Sequence, residues 1–173
     1  MSLLDWIKGT ATSRGGQGDT QTVRRIAGEL DKLEPARARH LAALAYILGR
    51  VAGADHQFSA EEIDKMVELV RSEDGLPEEQ AMLVVEIAKN QNRLFGSTEN
   101  YLVAREFRQI ASDAERRQLL DWLFAVSAAD DAITAEEDAQ IRQIASELGV
   151  PHDEFIAARM KWSGKRTVLR KNL

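Results

Sequence analysis

Two similar stretches of the chain carry the carboxylates with the clearest capacity for chemistry. Residues 51–62 read V-A-G-A-D-H-Q-F-S-A-E-E and residues 126–137 read V-S-A-A-D-D-A-I-T-A-E-E, an offset of 75 residues. In each stretch an aspartate is followed by an apolar residue, by Ser or Thr, and by a glutamate. The matched acids are Asp55, Glu62, Asp130 and Glu137. A duplicated helix-turn-helix unit explains this repeat.

Four carboxylates in one place favour a hard divalent cation. If the two copies pack around a pseudo-twofold axis, Asp55 and Asp130 converge, and Glu62 and Glu137 lie one turn away. Without basic partners these groups repel one another and titrate as a set. A divalent ion relieves that repulsion, and oxygen ligands suit Mg²⁺, Ca²⁺ or Mn²⁺, with Zn²⁺ if His56 joins. The four carboxylates therefore predict a metal site, and the sequence leaves the identity of the ion open.

The same residues also have a purely structural interpretation. Glu62 and Glu137 follow Ser59 and Thr134 at the spacing of a capping box. The two aspartates lie near helix C-termini, where the macrodipole disfavours a negative charge by ~0.3–1 kcal/mol. Either amide hydrogens of the turn or a cation must compensate for that charge. The spacing leaves capping and metal binding both open.

Other kinds of site find less support. An EF-hand is excluded because its earlier ligand positions fall on Val51 and Gly53, and on Val126 and Ala128, which carry no carboxylates. A metal-dependent hydrolase using the acidic cluster is a third alternative. However, no nucleophile-His-Asp arrangement and no Gly-rich phosphate loop is recognisable. We therefore expect no enzymatic activity.

The three histidines are expected on the surface or in packing roles. His40, His56 and His152 do not have the spacing of metal ligands.

Composition predicts an all-α protein. The chain has 173 residues, 44% of them hydrophobic and 29% charged, which fits one globular domain. Abundant Ala, Glu, Leu and Arg with only three prolines favour helix almost throughout. A net charge of -5 argues against a nucleic-acid-binding surface, and the lack of cysteine excludes disulfides and thiolate zinc sites. With no apolar run of ~20 residues and no secretory leader, we expect no membrane span and a cytoplasmic location.

Apolar residues at helical spacing predict the elements that must hold the two stretches. The predicted helices cover residues 22–33, 36–53, 59–74, 78–95, 98–110, 112–126, 134–149 and 151–160. Gly96 to Thr98 are expected to end one helix and begin the next. Tyr101, Leu102, Phe107 and Ile110 are expected to be buried.

The chain divides into three segments by composition. We expect a flexible N-terminal segment at residues 1–19, a helical domain at 20–163, and a basic tail at 164–173. The N-terminal apolar turn is expected to fray or to pack on the domain, with contact to a membrane surface or a partner as the alternative. The tail is expected to be solvated or ion-paired locally, with an anionic partner as the alternative.

The repeated motif resembles that of a known family. The pattern Ala-Asp-Gly-x-apolar-Ser/Thr-x-x-Glu, twice in an all-helical protein of this size, resembles the tellurite-resistance TerB family and its relatives in DnaJ-like membrane chaperones. The resemblance covers about residues 20 to 160. It implies a helical bundle with pseudo-twofold symmetry and a metal site formed by Asp55, Glu62, Asp130 and Glu137. It also implies a role in tellurite or other chemical stress, with protein partners that include one at the membrane.

This chain departs from that pattern at the position of the family glycine. His56 and Asp131 stand there instead, and both residue types tolerate positive φ. Asp131 could also add a ligand. The leading hypothesis is a non-enzymatic stress-response module that binds a divalent cation and presents a helical surface to partner proteins. The alternative is a helical interaction scaffold without metal, and the oligomeric state stays open.

Overall fold

The structure is a computed structural model that describes residues 32–170 of the chain. Over these residues the fold is all-α, which confirms the predicted fold class. The helices are α1 (Pro35–Ala52), α2 (Ala60–Asp74), α3 (Glu78–Ile110), α4 (Asp113–Ser127), α5 (Ala135–Glu147), α6 (His152–Met160) and α7 (Thr167–Arg170). Short 3₁₀ turns cover Ala128–Asp130 and Ser163–Lys165. The predictions for residues 1–19 and for nearly all of the helix at 22–33 lie outside the described residues.

Helix α1 forms the centre of the bundle, as its wide apolar stripe predicts. Leu41, Ile47, Leu48 and Val51 are fully buried. Helices α2, α3, α4 and α5 all pack against α1. Burial of this stripe removes apolar surface from water on every side of the helix, which is the main force that holds the bundle together.

Capping boxes begin three of the helices. Ser59, Ser112 and Thr134 each accept a hydrogen bond from the backbone N–H three residues on, and the glutamate at that position accepts one from the capping residue. Such a cap stabilises a helix by ~1 kcal/mol. The predicted starts of α2, α4 and α5 are confirmed.

The two repeated turns share their local backbone conformation. His56 has φ 65° and Asp131 has φ 71°, so both occupy the left-handed region that the family glycine would occupy. Gly75 and Gly149, which follow the next helix in each copy, also match, with φ 63° and 70°. The local geometry of the repeat is therefore preserved, while the pseudo-twofold relation of the two copies stays a prediction.

The predicted break at Gly96 to Thr98 is wrong, because α3 continues through it for 33 residues. A glycine inside a helix costs only ~1 kcal/mol. Burial of one large apolar side chain contributes ~1.5–3 kcal/mol, and α3 has core residues on both sides of Gly96. Val85 and Ala88 precede it, and Val103 and Phe107 follow it. Packing of both flanks in one core outweighs the tendency of Gly96 to end the helix.

Three of the four residues expected to be buried on the second half of α3 are exposed. Phe107 is 1% exposed, as expected, but Tyr101 is 59%, Leu102 52% and Ile110 38% exposed. The face of α3 that meets the core carries Val103, Ala104 and Phe107. Tyr101 and Leu102 lie outside that face, so they are exposed although they are apolar.

We predict that Gly75→Ala destabilises the protein by about 1–2 kcal/mol because a Cβ is disfavoured in the left-handed region. No atom lies within 4 Å of the added Cβ, so the backbone conformation alone is tested. Thermal or urea unfolding measures the change in the free energy of unfolding.

Gly164→Ala is the matched control. An added Cβ there also meets no atom within 4 Å, and Gly164 does not have a left-handed φ. We expect a change within ~0.5 kcal/mol for this variant. Equal stability of the two variants would contradict the assigned turn conformation.

Candidate metal centre

Two of the predicted ligands, Glu62 and Glu137, meet in the interior. Each is 2% exposed, and each lies in the first turn of its helix, α2 or α5. Glu62 Oε2 accepts hydrogen bonds of 2.9 Å from both the N–H and the hydroxyl of Ser59. Glu137 Oε2 accepts one of 2.8 Å from the N–H of Thr134. The capping boxes thus fix one oxygen of each carboxyl group and turn the rest of the group toward the other copy.

The two carboxyl groups are close enough for each to shift the pKa of the other. Glu62 Oε1 is buried and receives no hydrogen bond from any N–H or hydroxyl group. A bond between two carboxyls therefore requires a proton on one of them. Burial raises the pKa of both groups, and burial together with the neighbouring Glu62 raises the pKa of Glu137 to about 9. At neutral pH Glu137 is therefore protonated, and its proton is available to the Glu62 carboxyl group.

Asp130 belongs to the same group of charges. Its negative charge adds to the effect of burial in raising the pKa of Glu62. The Asp130 carboxylate also accepts a hydrogen bond of 3.2 Å from the N–H of Ala132. Asp130 thus lies close enough to Glu62 for its charge to affect that carboxyl group.

Asp55 makes the corresponding turn contact in the first copy. Its carboxylate accepts a hydrogen bond of 3.0 Å from the N–H of Gln57. Turn amides therefore compensate the charge of both aspartates, as in the structural interpretation. The four predicted ligands do not present three ligand atoms within 4.8 Å of one another in residues 32–170. The arrangement is a proton-bridged pair with flanking aspartates, and its role as a metal site stays a prediction.

A different group of possible ligands was missed in the sequence. His40, Glu73 and Glu115 have ligand atoms that all lie within 4.8 Å of one another, and His40 Nε2 is 3.3 Å from Glu73 Oε1. These residues come from α1, α2 and α4, so no local spacing could have indicated them. Glu115 is also held by its capping box, in which the Ser112 N–H lowers the pKa of the carboxyl.

Two arginines weaken the case for a cation in this second group. Arg37 and Arg39 line the same cavity of about 380 Å³ as His40, Glu73 and Glu115. Their positive charges disfavour a cation in the cavity, although an ion pair of 2.6 Å with Glu106 offsets the charge of Arg39.

The C-terminal segment pairs with Asp131, the further possible ligand. Lys165 forms an ion pair with Asp131, and its hydrogen bond lowers the pKa of that carboxyl. Arg170 Nη2 donates a hydrogen bond of 2.8 Å to the backbone oxygen of Asp131. The carboxylate of Asp131 thus has a cationic partner from its own chain.

Backbone contacts fix the same segment to the second turn. The N–H of Ile133 donates to the oxygen of Lys165 at 2.8 Å, and the N–H of Thr167 donates to the oxygen of Ile133 at 3.0 Å. Arg166 also pairs with the buried Asp138 side chain. The described part of the basic tail therefore forms ion pairs within its own chain.

Comparison with known families agrees with the motif. The family described as tellurite resistance protein TerB matches residues 38–160, a range that contains both acidic turns and most of the chain. The chain belongs to the TerB family. Neither the curated proteins nor the solved structures provide a significant match. Within the described part of this TerB protein, no helix is long and apolar enough to cross a membrane.

We predict that the stability of the TerB domain falls as pH rises because of the proton on Glu137. The folded state holds this proton up to about pH 9, whereas an unfolded glutamate releases it near pH ~4.3. Between these values the folded state binds more protons, so the free energy of unfolding decreases with pH by at most ~1.4 kcal/mol per unit. Glu137→Gln keeps a donor for Glu62 but cannot titrate. Urea unfolding from about pH 5.5 to 8.5 should therefore show the variant gaining stability relative to the wild type as pH rises.

Glu136→Gln is the matched control, since Glu136 is the preceding residue and its side chain is exposed. Its difference from the wild type should not vary with pH over the same range. A parallel pH dependence in the wild type and Glu137→Gln would show that the buried pair does not share a proton.

Proposed function

We propose that this TerB domain is a non-enzymatic stress-response module that binds a divalent cation between its two acidic turns and acts through partner proteins. The observation that carries the proposal is the buried pair of Glu62 and Glu137, with Asp130 beside it. Buried carboxyl groups are costly unless a proton or a cation compensates them. Family membership supports the link to tellurite resistance.

The cation would take the place of the shared proton. Glu62 Oε1 is the free ligand atom, because it is buried without a donor when the proton is absent. Release of the proton from Glu137 would leave a second oxygen for the ion, and Asp130 would supply a third from the turn. Asp55 remains the fourth proposed ligand. An all-oxygen set of this kind suits Mg²⁺, Ca²⁺ or Mn²⁺.

Cation binding by such a site must compete with protons. Below the pKa of Glu137 an ion has to displace a proton, so its apparent affinity should increase with pH. A site beside Glu73 and Glu115 would instead depend on His40 as a ligand. Substitution of His40 therefore separates the two locations.

In this function the acidic turns carry out no catalytic step. The helical surface binds partner proteins, and the family resemblance supports this role. The principal alternative is a scaffold in which the same residues only cap helices and close turns. Metal binding is the property that distinguishes the two.

We predict that Mg²⁺, Ca²⁺ or Mn²⁺ raises the melting temperature of the chelator-treated protein, and more so at pH ~8.5 than at pH ~6. An ion at about 100 times its dissociation constant should stabilise the fold by ~2.7 kcal/mol. Asp55→Asn with Asp130→Asn, and separately Glu62→Gln, should abolish the shift while the fold remains intact. Differential scanning fluorimetry and calorimetric titration measure the effect.

His40→Gln is the matched control because it removes the histidine of the other possible site and leaves the acidic turns unchanged. It should keep the full response to cations. If His40→Gln alone abolishes the response, the ion binds beside Glu73 and Glu115 instead. If no ion shifts the melting temperature of the wild type at either pH, the cation proposal fails and the scaffold alternative remains.

A further inference from the structure

A pocket of about 730 Å³ opens beside the first acidic turn. It lies between the second half of α1, the turn that follows it, α3 and α5. Small-molecule sites typically have volumes of roughly 300–1,000 Å³, so this one has room for a metabolite. The described residues that line it include no carboxylate, although the whole chain has a net charge of -5.

The polar wall of this pocket consists mainly of hydrogen-bond donors. The residues that supply them are Arg50, Lys89, Arg93, Asn100 and Gln140. Phe58 and Ile63 form an apolar part of the lining. We propose that the pocket binds a small organic phosphate, with the phosphate group at the basic and amide donors and the apolar part of the ligand against Phe58 and Ile63. The proposal does not depend on cation binding by the acidic turns.

Arg50 organises the base of the pocket. Its side chain is only 1% exposed, and Nη1 lies 2.7 Å from Glu147 Oε2. The same guanidinium donates to Gln140 Oε1 at 3.2 Å and to the backbone oxygen of Asn100 at 3.3 Å. Its Nε is buried without a partner. A buried arginine held in this way fixes the position of the side chains around it.

These bonds leave two amide groups as donors. The oxygen of Gln140 already accepts from Arg50, and Oδ1 of Asn100 accepts from the hydroxyl of Tyr46 at 2.8 Å. An amide whose oxygen is engaged offers its NH₂ group to other partners. Within the described residues, the NH₂ groups of Gln140 and Asn100 have no acceptor. Both are therefore available to an anion in the pocket.

Two cations are available at the mouth of the pocket. Arg93 is exposed and has no ion pair within residues 32–170. Lys89 lies 2.7 Å from Glu86, but the Glu86 side chain is 52% exposed. Because such a surface pair contributes little to stability, Lys89 can exchange this partner for a ligand at small cost. Arg93 and Lys89 thus supply positive charge that the fold itself does not require.

Glycines in α1 allow the walls to approach closely. A Cβ at Gly53 would lie 2.7 Å from Cζ of Phe58, so the Phe58 ring packs directly on the helix backbone. One turn earlier, a Cβ at Gly49 would lie 2.7 Å from Nδ2 of Asn92. That nitrogen donates to the backbone oxygens of Tyr46 and Ala88 at 3.0 and 2.8 Å. The apolar and polar sides of the pocket are therefore both fixed against α1.

The number of donors favours phosphate over a carboxylate. A phosphate monoester carries three acceptor oxygens and a charge of about -1.5 to -2 at neutral pH. A carboxylate has two oxygens and one charge, so it would leave some of the donors from Lys89, Arg93, Asn100 and Gln140 without a partner. The larger charge also gains more from Lys89 and Arg93.

Calorimetric titration of the full chain with phenyl phosphate, in the presence of chelator, tests the proposal. We expect binding that weakens as salt is raised. Arg93→Gln and Lys89→Gln should each weaken it about tenfold, which corresponds to ~1.4 kcal/mol. Arg93 is exposed, and Lys89, although partly buried, pairs only with the exposed Glu86, so the variants should keep the melting temperature of the wild type. Benzoate should bind more weakly than phenyl phosphate, because it carries less charge.

Arg142→Gln is the matched control, since Arg142 is an exposed arginine of α5 that does not line the pocket. It should bind phenyl phosphate as the wild type does. The proposal is overturned if the wild type does not bind phenyl phosphate at millimolar concentration, or if Arg142→Gln loses as much affinity as Arg93→Gln. Equal affinity for inorganic phosphate and phenyl phosphate would overturn the role of Phe58 and Ile63. The chelator keeps this result separate from any failure of the cation site.

Discussion

The contact between Glu62 and Glu137 is the constraint around which the two copies of the repeat are arranged. At hydrogen-bonding separation, two ionised carboxylates repel by roughly 5 kcal/mol at an effective dielectric constant of ~20. A capping box contributes only ~1 kcal/mol, so capping alone would not hold both charges in place. A proton or a cation must therefore lie between them, and the pKa of about 9 at Glu137 favours a proton in that position at neutral pH. The contact joins α2 of one copy to α5 of the other.

The capping role and the proposed metal role use different oxygens of the same side chains. In both copies Oε2 accepts the backbone N–H of the capping residue. The second oxygen faces the other copy, and in Glu62 it has no N–H or hydroxyl donor. The structural and metal-binding interpretations of the motif are therefore compatible. In the two aspartates, by contrast, the carboxylate that would bind a metal already accepts a hydrogen bond from a turn amide.

Local signals predicted the local structure well, and tertiary packing accounts for what they missed. The three capping boxes and the positive φ at His56 and Asp131 follow from residue type and spacing within a few positions. The continuity of α3 does not, because burial of its two flanks outweighs the cost of Gly96. The grouping of His40 with Glu73 and Glu115 depends on how three helices pack. The sequence motif indicated the four acids but placed Asp55 against Asp130, whereas the proximity of Glu62 and Glu137 depends on how α2 and α5 pack.

The two copies have diverged in the surroundings of their turns, and this divergence gives the molecule different polar surfaces. In the second copy Asp131 is neutralised by Lys165, and Ile133 is covered by the backbone of the C-terminal segment. In the first copy His56 is exposed, and the turn borders the donor-lined pocket. Because Phe58 packs on Gly53 and lines that pocket, the apolar residue that closes the turn also forms a wall of the cavity. One turn of the repeat is thus closed by its own chain, while its counterpart keeps an accessible surface where a ligand can bind.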